Sequence, residues 1–573
     1  MTDAPQGLVA VAIASDVGAA VVFPDGRCET FTPLDAPRRL AAIEADGARW
    51  IWWNKETAGA LIAMGVTPSR CWDLAAVHRL LVGGWRCGPE RVWAEARGLD
   101  ASTIPKLQPV DLFTQAVDSG DSEAPVGLDD HLRPEWVQGA WSDSLDRLGR
   151  WAALAADAQQ AQAEQLDQRR GDESDAQHRH RHVTALSESA AEIVCAELEV
   201  DGLPFDRTVG EQIIAGFVGR RPRDAADEQV VLAELDAPVL AHLPPDALVD
   251  LRSPDQVKSL LRRAGIEVPD TRAWRLEALR DEHPIVDALL TWRRAERIRT
   301  TFGFPWLDDN VGADGRLRGR WSGSDGAAGR MTATVGLHNM PSEMRPAVAA
   351  EPGHIFIRAD LGQIEPRVLA AVSGDARLAA ATQEDDMYAP VAERLRVERE
   401  IAKVAVLGAM YGQTTGKGAE ALRGLEREYP VAMGHLRSAD EAAQGGHDLW
   451  TYGGRRIRMS GNVTDEMSDG DVRSRAAARG RFGRNAVVQG AAAEFFKTWA
   501  VLVRARGARI GARVVLCLHD ELVVHTPLDA ADATRVLVDA CVQEAAARWA
   551  PPTDAPVRFV TDTSVIERWS QAK

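Results

Sequence analysis

Positive charge is the first thing this chain is short of. Its 573 residues carry 67 Lys and Arg against 84 Asp and Glu, a formal net charge of −17. That argues against a surface coated in basic charge for nucleic-acid binding, but not against an enzyme that gathers its arginines in one cleft. Cysteine is also sparse. Cys28, Cys71, Cys87, Cys195, Cys517 and Cys541 are scattered and form no CxxC pair. A reduced cytoplasmic protein without a cysteine zinc site is the simplest account. No apolar run is long enough to span a bilayer, and the opening MTDAPQGLVAVAIASD lacks the basic start of a signal peptide. There is no internal repeat. No membrane partner is expected.

What remains is an ordinary globular composition, 45% hydrophobic and 26% charged. A chain of this length predicts two or more domains. Residues 1 to about 150 alternate short β-like runs (LVAVAIA, AAVVF, RWIWW) with helical stretches, which predicts a small α/β domain. DAQQAQAEQLDQRRGDESDAQHRHRH, residues 157–182, reads as a polar, helical or mobile connector, and its His178, His180 and His182 are more simply surface residues than metal ligands. Residues 185 to about 300 have helical patterning. SPDQVKSLLRRAG is delimited at both ends, by Ser253 as N-cap before Pro254 and by Gly265 as the stop. Beyond 350, strand-like runs return between long helices.

Four stretches in the second half carry chemistry. In VVLCLHDELVVH two β-forming runs flank Asp520 and Glu521. Alone this could be a solvated hairpin tip. HIFIRADLGQIEPRVLAAVSGD places Asp360 at the end of a strand and starts a helix at Gln363. Two such acids meeting in space could hold two Mg²⁺, which prefers carboxylates and leaves positions for water and substrate phosphate. In EREIAKVAVLGAMYGQ, Arg399, Lys403, Leu407 and Tyr411 recur every four residues along one helix face. Arg399 and Lys403 repel one another unless an anion such as a polyphosphate lies between them. Arg481, Asn485 and Gln489 repeat that spacing and could reach sugars or base edges. Arginines cluster at Arg316, Arg318, Arg320 and Arg330, and again at Arg473, Arg475, Arg479, Arg481 and Arg484.

Together and in this order, these stretches resemble the polymerase domain of family A DNA polymerases, the family of bacterial DNA polymerase I. DLGQIEPR is similar to the family's DYSQIELR. Arg399-x3-Lys403-x3-Leu407-x3-Tyr411-Gly412 is similar to RxxxKxxxFxxxYG, LHDE to VHDE, and GRMTATVGLHNMP to a primer-template segment. The resemblance covers about 185–573. It implies an α/β and α+β multidomain chain: a ribonuclease-H-like domain at 1–156, a connector at 157–184, and a right-hand polymerase at 185–573, with the thumb at about 185–310 and palm and fingers at about 311–573. It further implies Asp360 and Asp520 as metal ligands for two Mg²⁺ (or Mn²⁺), with Glu521 and Lys403 also catalytic. Arg399, Lys403, Leu407, Tyr411, Glu365 and Gln363 would line the dNTP site, Glu365 as a gate against the ribose 2′-hydroxyl. Arg330, Arg481, Asn485, Gln489, His519 and Arg367 would contact primer-template DNA.

Departures accompany the resemblance. Leu407 stands at an aromatic position of the family, Leu361 and Gly362 replace Tyr-Ser, and Tyr388 replaces a His. The family's 3′–5′ exonuclease acids look lost. Asp16 has Gly18 two residues on, Asn54 is followed by Ala58, and Ala153 precedes Asp157. The expectation is a monomeric, cytoplasmic, nucleoid-associated DNA polymerase without proofreading and without a 5′ nuclease domain. Two alternatives stay open: a single-subunit RNA polymerase, and a primer-template-binding protein that no longer catalyses.

Overall fold

The computed structural model describes residues 7–107, 123–170, 174–244, 249–412, 419–459, 469–552 and 554–572. The chain divides into two compact units. One comprises Met1–Gly202, Arg320–Ala333 and Gly353–Ile566; the other comprises Leu203–Gly319, Thr334–Pro352 and Glu567–Lys573. The amino-terminal region thus shares a unit with most of the carboxy-terminal half.

The amino-terminal sheet contains β1 (Leu8–Ala14), β2 (Gly18–Val22), β3 (Cys28–Phe31), β4 (Arg49–Trp52) and β5 (Cys71–Asp73), in the order β3-β2-β1-β4-β5. The first three strands pair antiparallel, and β4 and β5 extend the sheet in parallel. β1 reads as an unbroken apolar run because both its faces are covered. Ala10 and Ala12 face one core, with Leu148, Ala152 and Ala155 of α1 (Leu145–Asp167). Val9, Val11 and Ile13 face another, with Ile193 and Ala196 of α2 (Asp175–Asp201). α1 and α2 occupy most of the stretch expected to be a polar connector. His180, expected at the surface, is buried against Tyr452, ring centroids 4.6 Å apart. Burial holds its imidazole at a pKa of about 4, so it is neutral.

The second unit is mainly helical. α3 (Pro254–Arg263) has Ser253 accepting from the Gln256 amide and Gly265 at φ +82° just beyond its end, as its sequence predicts. α4 (Pro284–Phe302) contributes Leu289, Leu290 and Trp292 to a core that α3 shares through Val257, Leu260 and Leu261.

In the first unit the chain continues through a hairpin, β6 (Trp321–Asp325) and β7 (Arg330–Ala333), and then β8 (His354–Leu361), α5 (Ile364–Ser373) and α6 (Arg399–Tyr411). After these come the long helix α7 (Asp469–Gly507), β9 (Arg513–Leu518), β10 (Glu521–Pro527), α8 (Ala531–Trp549) and β11 (Thr561–Ile566). The last strands form one antiparallel sheet, β9-β10-β8-β11. α7 contains a stretch long and apolar enough to cross a membrane, but 83% of that stretch is buried inside the protein. Charges are buried with it. Glu188 of α2 pairs with both Lys497 of α7 and Arg455, all at most 3% exposed in their side chains. Lys497 also donates to the carbonyls of Gly323 (3.1 Å) and Gly329 (2.8 Å), which pins the β6–β7 hairpin. A buried ammonium is tolerable only with such a full set of acceptors.

Candidate active site

The site forms where β8 ends between its two neighbours. Register sets Asp360 opposite Glu521 on β10 and opposite Asp562 on β11. The β9–β10 hairpin turns on His519 and Asp520, and the Asp520 carbonyl accepts from the Leu361 amide at 2.8 Å. The two motif acids thus come close together at one end of the sheet's strands. Burial and then the Asp520 charge push the Asp360 carboxyl up to about 6. Asp520 is raised by burial and then by Glu521. Crowded carboxylates of this kind repel one another, and a bound divalent cation would offset that repulsion. The donors are hard oxygens, which suit Mg²⁺ or Mn²⁺.

Two members of this cluster escaped sequence reading. Asp562 lies in the weak strand signal VRFVTDT. Arg358 lies two residues before Asp360, on the same face of β8 by strand period. Its guanidinium donates to Asp360 Oδ2 (3.1 Å), to Glu521 Oε2 (2.9 and 3.1 Å) and to Asp562 Oδ2 (3.4 Å). Arg358 therefore holds Glu521 through Oε2, and only 11% of the Glu521 side chain is exposed.

Beside the acids, Glu365 of α5 accepts from Arg330 Nη2 at 2.7 Å and from the Tyr411 hydroxyl at 2.9 Å. Tyr411 also bonds Gln489 of α7, so residues expected on both helix faces converge at one point. The Arg330 charge, after burial, lowers the His519 pKa. Asn485, between Arg481 and Gln489, keeps a buried Oδ1 with no hydrogen-bond partner among the described residues. Arg481 is exposed, and its Cγ lies where a Cβ on Gly412 would clash, at a glycine with φ +69°. This close approach of α6 to α7 explains the glycine after Tyr411.

Arg399, Lys403, Leu407 and Tyr411 do share one helix, α6. Arg399 pairs with Asp386 and Glu400. Lys403 is partly buried and has no hydrogen bond or ion pair among the described residues. Leu407 is partly buried further along. Gln363 adopts a left-handed conformation (φ +52°), donates to Asp386 at 3.1 Å and accepts from the Met387 amide at 3.0 Å. Asp386 thus ties Gln363 to Arg399.

One expected DNA contact is corrected. Arg367 is fully buried, and its guanidinium donates to the carbonyls of Gly362, Thr382, Arg558, Glu384 and Asp385. With its donors spent on backbone, it fastens the start of α5 rather than facing solvent. Burial lowers its pKa to about 10.

The amino-terminal sheet offers no comparable cluster among its described residues. Asp16 and Asp157 are exposed. Asp73 is buried, accepts from Trp52 Nε1 (2.7 Å) and caps the following helix through the Ala76 amide (2.8 Å). Gly18 has φ +127°, and a Cβ there would run into the Phe31 carbonyl, so no acid fits. Ala58 is wholly buried. Tryptophans fill the seam with α1: ring centroids of Trp53 and Trp151 lie 4.8 Å apart, Trp141 stacks on Trp151 at 6.0 Å, and Trp72 Nε1 donates to Gln162.

Comparison with known proteins decides the family. The DNA polymerase family A model matches residues 240–571, more than half the chain. The chain belongs to DNA polymerase family A. Family A relatives include the thermostable DNA polymerase I of Thermus filiformis, 31% identical over 329 residues, or 52% of this chain and 38% of the relative. DNA polymerase I of Chloroflexus aurantiacus is 33% identical over 300 residues, 46% of this chain and 31% of the relative. The matches thus span less than half the length of these relatives. Among solved structures, the POL domain of Pol1 from M. smegmatis, in complex with DNA primer-template and dNTP, aligns over 99% of this chain and 96% of its own. Its TM-score is 0.68 at 22% identity, a likeness of fold.

Proposed function

We propose that this family A chain is a template-directed DNA polymerase that adds dNMP to a primer 3′ end and does not proofread. One observation carries the reading: Asp360 and Asp520 meet at a sheet edge beside the linked Arg330–Glu365–Tyr411 group. The four-stranded sheet would be the palm, α6 and its neighbours the fingers, and the helical second unit the thumb. Asp360 and Asp520 would hold Mg²⁺, or Mn²⁺, which supplies charge stabilisation at the attacking and leaving oxygens. Lys403, partly buried and without a partner among the described residues, would donate charge-assisted bonds to the leaving phosphates. Arg399 would exchange Asp386 for the triphosphate. Glu365, held on two sides, would present a fixed wall to a 2′-hydroxyl, with Gln363 two residues before it and Leu407 one helical turn before Tyr411. Arg330, Arg481, Asn485, Gln489 and His519 would contact primer and template. The order β3-β2-β1-β4-β5 supports a ribonuclease-H-like reading of the amino-terminal sheet. Its role would be to brace: Arg504 of α7 bonds Glu197 of α2 (2.7 Å) and the Pro68 carbonyl (2.8 Å). A cytoplasmic, nucleoid-associated monomer is the setting this reading implies.

The test is a labelled primer-template with Mg²⁺ and either dNTPs or rNTPs. Extension in template order with dNTPs supports the reading. Preference for rNTPs would favour an RNA polymerase. Binding without extension would favour a silent primer-template-binding protein.

A further inference from the structure

The cluster at the end of β8 holds one positive charge that the reaction has no evident use for. Arg358 is not placed to meet nucleotide or DNA: its side chain is 9% exposed, and its donors are spent on three carboxylates. The distribution is uneven. Glu521 takes two bonds on one oxygen, at 2.9 and 3.1 Å, from Nη2 and Nε. Asp360 takes one, at 3.1 Å, and Asp562 one long contact of 3.4 Å on a side chain that is 75% exposed. Asp520 receives none from Arg358 among the described residues. Arg358 therefore sorts the acids. Glu521 is held, Asp360 is only touched, and Asp520 is left to other partners.

We propose that Arg358 is a resident counter-ion and positioning residue of the metal site. It keeps Glu521 out of the coordination shell and makes a divalent cation compete with a guanidinium for Asp360. The inference rests on the reading that Asp360 and Asp520 hold the metal. Its physical basis is simple. A unit positive charge within hydrogen-bond distance of a ligand oxygen repels an incoming cation, and occupies a lone pair that the cation would use. Removing that charge must strengthen ion binding. It must also free Glu521 as an additional ligand. The consequence for function is a site with low affinity for a lone ion, which fills when a triphosphate brings negative charge of its own.

Ion binding can be read without catalysis. Mn²⁺ is titrated into the full chain, with no DNA and no nucleotide, and free Mn²⁺ is followed by electron paramagnetic resonance. The chains compared are wild type, Arg358→Met, Arg358→Gln, Arg358→Lys and Asp360→Ala, with the double variant Arg358→Met/Asp360→Ala. Methionine keeps most of the volume, and glutamine keeps a hydrogen-bond donor in case methionine does not fold. Arg358→Met and Arg358→Gln should bind Mn²⁺ about tenfold or more tightly than wild type. Arg358→Lys should stay near wild type, because it keeps the charge. The tightened ion should vanish in the double variant. Equal or weaker binding in both neutral variants, with an Asp360-dependent ion present, would overturn the role given to Arg358 and leave the metal assignment standing. If no chain binds an ion that Asp360→Ala removes, the metal assignment itself fails, and this inference fails with it.

Discussion

The two larger sheets of one compact unit end in opposite ways. At the β8–β10–β11 end, Asp360, Glu521 and Asp562 gather around Arg358, and Asp520 lies close to Asp360. At the amino-terminal sheet, Asp16 and Asp157 stand exposed, Gly18 has no room for a side chain, and tryptophans fill the seam with α1. Both sheets have well-covered strands. The difference lies in what the strand ends and turns present. A sheet's core is carried by residues such as Val9, Val11 and Trp50, so its stability does not depend on acids at its rim. A site needs those acids gathered against their mutual repulsion, and of these two sheets, among the described residues, the carboxy-terminal one does that.

The largest effect should come from breaking the gathered site. Asp360→Ala or Asp520→Ala should lower primer extension by roughly 10³-fold or more, about 4 kcal/mol of barrier, with primer-template binding retained. Single-turnover extension and a separate binding titration check both halves. DNA affinity rests on phosphate contacts elsewhere, so loss of binding would count against the assignment.

Next in size is the filled seam. Trp151 is 4% exposed and surrounded by Trp53, Trp136 and Trp141. Trp151→Ala should destabilise the chain by about 3–5 kcal/mol, read by denaturant unfolding. A change below about 1 kcal/mol would mean the seam is not a packed core.

A smaller effect is expected at the wall. Glu365→Ala removes the partner of both Arg330 and Tyr411, and should raise ribonucleotide incorporation by roughly tenfold or more. Incorporation of rATP against dATP on one template measures it.

The pH response separates the sheets further. Asp360 is raised from 3.8 to about 6, so its contribution to the ion-free fold is present below pH 3.8 and is lost as pH rises through about 6. Above that pH the bare carboxylate is available to a cation. Added Mg²⁺ should therefore raise the melting temperature more at about pH 7.5 than at about pH 5, and extension should fall as pH drops through about 6. Asp360→Ala should abolish the difference. At the small end, Asp16→Ala and Asp157→Ala should change neither extension nor melting by a measurable amount, as expected for exposed acids.

The parts legible in the sequence were those set by local period. Four-residue spacing put Arg399, Lys403, Leu407 and Tyr411 on one helix, and β-forming runs put Asp520 in a hairpin turn. The capped helix Pro254–Arg263 was readable for the same reason. What stayed hidden depends on partners far away in sequence. Arg367, expected from the family resemblance to contact DNA, is instead enclosed by carbonyls at 382, 384, 385 and 558. His180 lay in a polar stretch, yet tertiary packing buried it against Tyr452. Arg358 showed itself only when β10 and β11 brought Glu521 and Asp562 alongside. The same holds for Lys497, whose role needs Glu188 from a distant helix.

One assay confronts the two sheets directly. A labelled primer with a mismatched 3′ end, and a matched control, are annealed to template and incubated with the wild-type chain and Mg²⁺, with and without dNTPs. The account predicts that the matched primer lengthens with dNTPs, and that neither primer shortens without them. Shortening of the mismatched primer that disappears in Asp16→Ala or Asp157→Ala would contradict it, and so would a matched primer that fails to lengthen.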